Sequence, residues 1–184
     1  MTTIASRLQV TRARIADAAR AAGRDPASVR LVAVSKTFPP DAVRAAQAAG
    51  QSDFGENYLQ EALEKFPALA GLPLTWHFIG PIQSNKARPI AEHFGWVQSV
   101  DRAKIADRLA ETRPGALPPL NVCIQVNVSG EPSKSGVAPR DAPALARHVA
   151  ALPRLRLRGL MTIPRPAPDA AAQRAQFRVL RELL

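Results

Sequence analysis

The sequence predicts an α/β fold in which parallel strands alternate with helices. Six short apolar runs begin at residues 31, 53, 74, 96, 119 and 155, at successive intervals of 22, 21, 22, 23 and 36 residues. Amphipathic segments separate these runs, and strands that are apolar on both faces are typical of a parallel sheet covered by helices. A closed (β/α) barrel needs eight strands and typically about 250 residues, whereas this chain has 184. The pattern leaves two architectures open, an open doubly wound sheet and an incomplete TIM-type barrel of about six strands.

The first predicted element is an extra N-terminal helix. Ile4, Leu8, Ile15 and Ala18 follow a period of 3.6 residues, and Gly23 is a natural stop. This segment is rich in Arg and poor in acids, as mitochondrial targeting peptides are. The same Ala and Arg bias runs through the later helices, so we interpret the segment as part of the fold. We therefore predict a cytoplasmic protein.

The later elements follow in regular order within a single predicted domain, 1–184. The predicted strands are 31–35, 53–55, 74–80, 96–100, 119–128 and 155–163. The predicted helices are 40–49, 57–66, 84–94, 102–112, 139–151 and 169–184. Pro40 suits a first helical turn, Ser84 and Asp101 are candidate N-caps, and Pro89 should kink or split its helix.

The charge balance raises nucleic acid as a partner, because 25 Lys and Arg against 15 Asp and Glu give a net charge of +10. The basic residues are nevertheless scattered, and aromatic residues make up only 5% of the chain. Nucleic-acid modules cluster their basic residues or interleave them with stacking aromatics, so nucleic-acid binding is disfavoured. No apolar run approaches the ~20 residues of a membrane-spanning helix. The single cysteine excludes a disulfide within the chain.

Polar side chains gather at the carboxyl end of each predicted strand. They are Ser35 and Lys36 on the first, Glu56 and Asn57 on the second, His77 on the third, Ser99 and Asp101 on the fourth, Gln125 and Asn127 on the fifth, and Met161 and Thr162 on the sixth. In parallel β/α folds, ligands bind at this edge of the sheet. The sequence therefore predicts a binding site there.

Lys36 is the most informative single residue, because it directly follows an apolar strand. If the side chain is buried, desolvation lowers the pKa of its amine and makes a neutral nucleophile available. A neutral lysine amine attacks aldehydes to form a Schiff base. The alternative is a surface lysine at the start of a loop, and the pattern alone does not separate the two.

The other reactive residue types favour structural roles. His77, His93 and His148 lack the spacing of metal ligands, and no metal site is predicted. Cys123 falls in the middle of a strand, as small core residues do.

Phosphate-binding motifs are weak in this sequence. Arg154, Arg156 and Arg158 alternate along the sixth strand and so share a face. They fit either a phosphate patch or solvated positions, and we favour solvated positions. Loop 130–136 contains Gly, Lys and Ser, but not in the order of a P-loop.

Six motifs, taken together, go beyond these patterns. They are LVAVSK (31–36), FGENYLQE (54–61), WHFIGPIQSNK (76–86), SVD (99–101), QVNVSGEPSKSG (125–136) and RLRGLMTIP (156–164). In this order and spacing the chain closely resembles the pyridoxal phosphate homeostasis protein family. That family has the fold of the N-terminal barrel domain of alanine racemase, so the resemblance implies the incomplete barrel.

The resemblance implies a protein of intracellular cofactor homeostasis that binds pyridoxal phosphate without a known turnover reaction. Lys36 would be its Schiff-base lysine, and Asn57 would lie beside the cofactor ring. Met161 would line the pocket, and His77 would face the barrel region. Lys134 could serve as a second reactive amine near the site. Apoenzymes that depend on pyridoxal phosphate are candidate partners, whereas nucleic acid and membranes are not expected.

The chain departs from the family pattern after about residue 165. Family members continue for roughly two more β/α units, with S-x-G-M-S-x-D and R-x-G-x-x-x-F-G segments that supply most of the phosphate-binding groups. Residues 165–184 match neither segment, so the chain resembles a truncated member. We therefore expect this chain to bind pyridoxal phosphate weakly, or only as a nonspecific imine, because it keeps the lysine and lacks most of the phosphate-binding groups.

Two other functions remain as alternatives. An amino-acid racemase would use the same lysine, but it needs a second acid or base, normally a tyrosine from another domain. Tyr58 is the only tyrosine of this sequence. The third class, a basic nucleic-acid-binding protein, is disfavoured by the dispersed charge.

Overall fold

The computed structural model describes residues 3–131 and 134–184. Its α-helices are α1 (Ile4–Ala21), α2 (Pro40–Ala48), α3 (Leu59–Lys65), α4 (Ala87–His93), α5 (Ala103–Thr112), α6 (Ala142–Ala150) and α7 (Ala170–Arg181). Its strands are β1 (Ala33–Val34), β2 (Asp53–Glu56), β3 (Thr75–Phe78), β4 (Trp96–Val100), β5 (Leu120–Gln125) and β6 (Leu155–Met161). Short 3-10 helices cover Pro26–Ser28, Phe66–Leu69, Ser84–Lys86 and Pro139–Asp141.

The strands form one sheet in sequence order, from β1 to β6. β1 pairs in parallel with β2, and β3, β4, β5 and β6 pair in parallel with one another in turn. Each parallel connection contains a helix, as a β/α repeat requires. The predicted α/β class, with parallel strands in order and about six of the eight strands of a barrel, is confirmed.

The chain divides into two compact units, and the first ends at Trp76. Its core consists of Val43, Ala46, Phe54 and Leu69. The Trp76 ring packs beside this core, with its centroid 5.8 Å from that of Phe54. The second unit is His77–Leu184. A single domain over 1–184 therefore stays a prediction.

The second unit is held in part by a buried arginine. Arg113 follows α5 and is 7% exposed. Its guanidinium donates hydrogen bonds to the carbonyl oxygens of Ala91 (2.6 Å) and Phe94 (2.9 Å), at the end of α4. It also donates to the carbonyl oxygen of Pro118 (2.9 Å), just before β5. Burial lowers the pKa of Arg113, and the neighbouring charge of Arg154 lowers it further.

The observed helix boundaries agree with the predictions made for Pro40 and Gly23. α2 begins at Pro40, and Gly23 follows the end of α1 with a φ of 66°. The helix predicted over 84–94 is split into a 3-10 turn and α4, with Pro89 in the first turn of α4. Pro is tolerated there because the first amides of a helix lack intrahelical partners.

The predicted N-caps at Ser84 and Asp101 are wrong. Gln83 precedes the 3-10 turn and Arg102 precedes α5. The Asp101 carboxylate instead accepts a hydrogen bond from the Arg102 side chain at 2.6 Å. The 3-10 turn therefore begins one residue earlier than an N-cap at Ser84 predicts, and α5 begins one residue later than an N-cap at Asp101 predicts.

Among the described residues, no helix has the length and apolar character needed to cross a membrane.

Candidate functional site

Lys36 and Asn57 occupy matching positions beyond two neighbouring strands of the first unit. In the parallel pairing of β1 and β2, Val34 lies opposite Gly55. The Ser35 amide continues this ladder by donating to the carbonyl oxygen of Gly55 at 3.0 Å. Lys36 and Asn57 each lie two residues beyond this registered pair. The structure therefore brings these two predicted site residues together at the carboxyl ends of β1 and β2.

The Lys36 side chain is exposed, which decides between the two interpretations left open for this lysine. β1 has only two residues, and Val34 is 47% exposed. The apolar run 31–35 fails as a buried strand because β1 lies at the edge of the sheet. The accessible amine agrees with the alternative interpretation, a lysine at the start of a loop.

The buried lysine of this unit is Lys65, which is 4% exposed. Its ammonium donates to the Glu56 carboxylate (2.6 Å), to the carbonyl oxygen of Ser35 (2.8 Å) and to the Glu61 carboxylate (3.2 Å). A lysine ammonium has three N–H donors, so each donor has an acceptor. Lys65 falls near the end of the predicted helix 57–66. The i, i+4 spacing of Glu61 and Lys65 is the one feature of the sequence that indicates an ion pair there.

Glu56 is fully buried and receives more than one donor on a single oxygen. The Ser35 hydroxyl donates to Glu56 Oε1 at 2.7 Å, and Lys65 donates to the same atom. Within residues 3–131 and 134–184, Glu56 Oε2 and Asn57 Oδ1 have no hydrogen-bond partner, although both atoms are buried. Buried acceptors are normally paired. The Asn57 acceptor beside the Lys36 position therefore suits a ligand with an O–H or N–H donor.

Thr37, directly after Lys36, has an unusual backbone conformation. Its φ is 65°, and it is the one non-glycine residue with positive φ in the described chain. This region is strained for β-branched residues. The Thr37 amide donates a short hydrogen bond to the Glu61 carboxylate. The chain on both sides of Lys36 is therefore held by side chains from β2 and α3.

His77 lies in the second unit and packs against the neighbouring strand. It is 2% exposed, and its ring stacks on Trp96 at a centroid distance of 5.3 Å. Its Nδ1 lies 3.0 Å from Gln98 Nε2. These contacts give His77 a packing role, and its predicted contact with a cofactor stays a prediction.

Two of the three alternating arginines make contacts in the second unit. The Arg158 guanidinium lies 5.6 Å from the Trp96 ring and donates to Asn121 Oδ1 at 2.7 Å. Arg154 donates to the carbonyl oxygen of Leu117 at 3.2 Å. Arg156 is exposed. This arrangement agrees better with packing and solvated positions than with a phosphate patch.

Met161 ends β6 and is half-buried, opposite Gln125 of β5. Its carbonyl oxygen accepts a hydrogen bond from the Val126 amide at 2.8 Å. Met161 therefore stands at the carboxyl end of its strand, and its predicted contact with a cofactor stays a prediction.

Lys134 belongs to the loop that follows β5. Its ammonium lies 3.7 Å from the Glu131 carboxylate. The Asn127 amide group donates to the carbonyl oxygens of Glu131 (2.9 Å) and Lys134 (3.2 Å), and so fixes this part of the loop. Pro132 and Ser133, which belong to the same motif, lie outside the described residues.

Cys123 is half-buried in β5, and burial raises the pKa of its thiol to about 11, with the Arg158 charge acting in the opposite direction. It therefore behaves as a packing residue rather than as a reactive thiolate. In the described part of the chain, no group of three His, Cys, Asp or Glu side chains could hold a metal ion.

Comparison with known proteins places this geometry in a family. The family described as "Alanine racemase, N-terminal domain" matches residues 7–184. The pyridoxal phosphate homeostasis protein of Pseudomonas aeruginosa is 70% identical over 184 residues, which cover 100% of this chain and 80% of that protein. The protein of the same name from Escherichia coli is 50% identical and covers 100% of this chain and 78% of its own length.

Solved structures of similar proteins indicate the same family and fold as the sequence comparisons do. PipY of Synechococcus elongatus, solved with pyridoxal phosphate bound, has a TM-score of 0.83 and 40% identity over 98% of this chain and 80% of its own. A histidine racemase of Leuconostoc mesenteroides shares the fold, with a TM-score of 0.73 and 20% identity over 98% of this chain and 46% of its own. Given these matches, the chain belongs to the pyridoxal phosphate homeostasis protein family, which has the fold of the alanine racemase N-terminal domain.

Proposed function

We propose that this chain binds pyridoxal phosphate through Lys36 and acts in intracellular homeostasis of the cofactor, without turning over a substrate. The observation that carries the proposal is the pairing of positions at the edge of the first unit. Lys36 and Asn57 follow neighbouring parallel strands in register, and the buried Oδ1 of Asn57 is an acceptor without a hydrogen-bond partner among the described residues.

The residues fit the chemistry of this cofactor. Pyridoxal phosphate supplies an aldehyde, which condenses with a neutral lysine amine to a Schiff base with loss of water. Lys36 offers an accessible amine. The amine of Lys65 is buried and donates three hydrogen bonds, so it does not compete. Asn57 would accept a hydrogen bond from a donor of the bound ligand.

The other predicted site residues have supporting roles in this proposal. Met161, at the carboxyl end of β6, is proposed as a residue that contacts the cofactor. Lys134 would offer a second, minor amine, and its ammonium lies close to the Glu131 carboxylate. His77 would act through packing, because its ring is stacked on Trp96. Apoenzymes that require pyridoxal phosphate are the proposed recipients of the cofactor.

The absence of turnover is proposed from the acid and base groups that a racemase requires. A racemase places one proton-transfer group on each face of a planar carbanion. Lys36 could serve one face. Tyr58 is 55% exposed, and the His77 ring nitrogen lies 3.0 Å from the Gln98 amide, so neither offers a ready partner. A racemase remains the alternative that the experiment must exclude.

Absorbance titration with pyridoxal phosphate tests the proposal. The unmodified chain should develop a Schiff-base band near the visible edge, and Lys36→Ala should lose it. Lys104→Ala is the matched control, since Lys104 is also an exposed lysine, on α5, and this variant should keep the band. A band that survives Lys36→Ala would contradict the assignment. Sustained racemisation of alanine or serine that is lost in Lys36→Ala would contradict the non-catalytic role.

A further inference from the structure

We propose that the Lys65 cluster, which we define as Glu56, Glu61 and Lys65, positions Lys36 for reaction with the aldehyde. This inference rests on the proposed function of Lys36. The cluster does not touch the reacting amine in any contact described above. It holds the residues on either side of that amine, and it is therefore a positioning device rather than a catalytic one.

Ser35, on the strand side of Lys36, is fixed by two members of the cluster. Its carbonyl oxygen accepts from the Lys65 ammonium at 2.8 Å, and its hydroxyl donates to Glu56 Oε1 at 2.7 Å. Ser35 is itself 5% exposed. Because both its main chain and its side chain are bound to buried charged groups, the peptide entering Lys36 has little freedom to rotate.

Thr37, on the loop side of Lys36, is fixed by the third member of the cluster. Its amide donates to the Glu61 carboxylate, which also receives the Lys65 ammonium at 3.2 Å. The φ of 65° at Thr37 is unfavourable for a β-branched residue and persists only when surrounding contacts impose it. Strain of this kind gathers at functional sites, and here it adjoins the proposed Schiff-base lysine.

The buried charges explain why this arrangement is rigid. Lys65 is 4% exposed and Glu56 is fully buried, so each needs the other as a partner. Breaking the Ser35 contacts would leave a buried charge with one hydrogen bond fewer. The Lys65 cluster therefore strongly favours one main-chain conformation of residues 35–37. Because this main chain is fixed, the Lys36 side chain always starts from the same position.

Glu61→Ala is the first test, with Glu64→Ala as its matched control. Both residues lie on α3 and both substitutions remove one carboxylate. Among the contacts of the described residues, Glu64 accepts only from the exposed Gln60 side chain, at 2.9 Å. Glu61→Ala should reduce the Lys36 adduct with pyridoxal phosphate, trapped by borohydride, about tenfold. Glu64→Ala should stay within about twofold of the unmodified chain. Without pyridoxal phosphate, the Thr37 amide should exchange hydrogen about tenfold faster in Glu61→Ala only.

Two rescue variants separate positioning from general destabilisation. Glu61→Gln keeps an acceptor for the Thr37 amide and should restore most of the Lys36 adduct. Thr37→Gly in the Glu61→Ala background should recover part of it, because glycine adopts positive φ without a steric penalty. General destabilisation would not respond to either change.

The outcomes distinguish this inference from the proposed function. If the unmodified chain traps pyridoxal phosphate at Lys36, and Glu61→Ala behaves as Glu64→Ala does in adduct and in amide exchange, the positioning role is wrong and the proposed function stands. If the unmodified chain shows no preference for Lys36, the proposed function fails and the positioning role fails with it. A tenfold loss that both rescue variants reverse supports the inference.

Discussion

Lys65 and Glu56 form a buried ion pair, with Lys65 Nζ 2.6 Å from Glu56 Oε1. The two side chains are 4% and 0% exposed. Transfer of such charges from water is costly, and the cost is offset only when partners satisfy them. The pair links the end of α3 to the end of β2, directly beside the loop that carries Lys36.

Removal of one member of this pair should strongly destabilise the chain. Lys65→Met leaves the Glu56 carboxylate buried without its countercharge, and we expect a loss of about 3–5 kcal/mol in the free energy of unfolding. The double variant Lys65→Met/Glu56→Gln removes both charges and should recover most of that loss. Urea unfolding of the two variants measures the difference. Equal destabilisation in both would show that the ion pair is not the source of the effect.

Arg113 should contribute more to stability than the surface arginines do. Arg113→Leu leaves the carbonyl oxygens of Ala91, Phe94 and Pro118 without this donor. We expect a loss of about 3 kcal/mol, since each buried unsatisfied group costs about 1–3 kcal/mol. Arg108→Leu is the control, because the Arg108 side chain is 51% exposed and pairs only with Glu111 in the contacts described. Its effect should stay within about 0.5 kcal/mol. A similar loss in both variants would contradict the proposed role of Arg113.

Gly136 should not tolerate a side chain. Its φ is 122°, and a Cβ there would lie 2.6 Å from the Asn127 amide nitrogen and 2.9 Å from the Val126 carbonyl carbon. Gly136→Ala should loosen the loop that holds Lys134 and accelerate amide exchange at Asn127. Gly130→Ala is the control, since a Cβ at Gly130 has no heavy atom within 4 Å in the described structure, and only its φ of 68° opposes the change. Amide exchange that is the same in both variants would contradict the steric account.

The Cys123 thiol should react slowly at neutral pH. Burial raises its pKa from 9.0 to about 11, and the thiolate is the reactive form. The iodoacetamide reaction of the folded chain should therefore rise toward pH 11, whereas the urea-unfolded chain should react as an ordinary thiol. Between about pH 9 and 11 the unfolded state binds fewer protons than the folded state, so stability should fall as the pH rises. A folded chain that reacts as fast as the unfolded chain at pH 8 would contradict this account.

The sequence alone predicted the repeat and the positions of Lys36 and Asn57, because strand periodicity and parallel register depend on local patterns. The apolar run 31–35 alone left the burial of Lys36 open, because a short apolar run does not show whether its strand lies at the sheet edge. The sequence did not predict the burial of Lys65. A lysine four residues after a glutamate is typical of a solvated helix surface. Its burial depends on contacts that are distant in sequence, with the carbonyl oxygen of Ser35 and the carboxylate of Glu56.

Reductive trapping shows which lysine of the chain forms the Schiff base with pyridoxal phosphate. The chain is incubated with pyridoxal phosphate, reduced with borohydride and digested, and the modified lysines are identified by peptide mapping. We predict an adduct mainly on Lys36, a minor adduct on Lys134 and almost none on the buried Lys65. An adduct mainly on Lys65, or one spread evenly over exposed lysines such as Lys86 and Lys104, would contradict it.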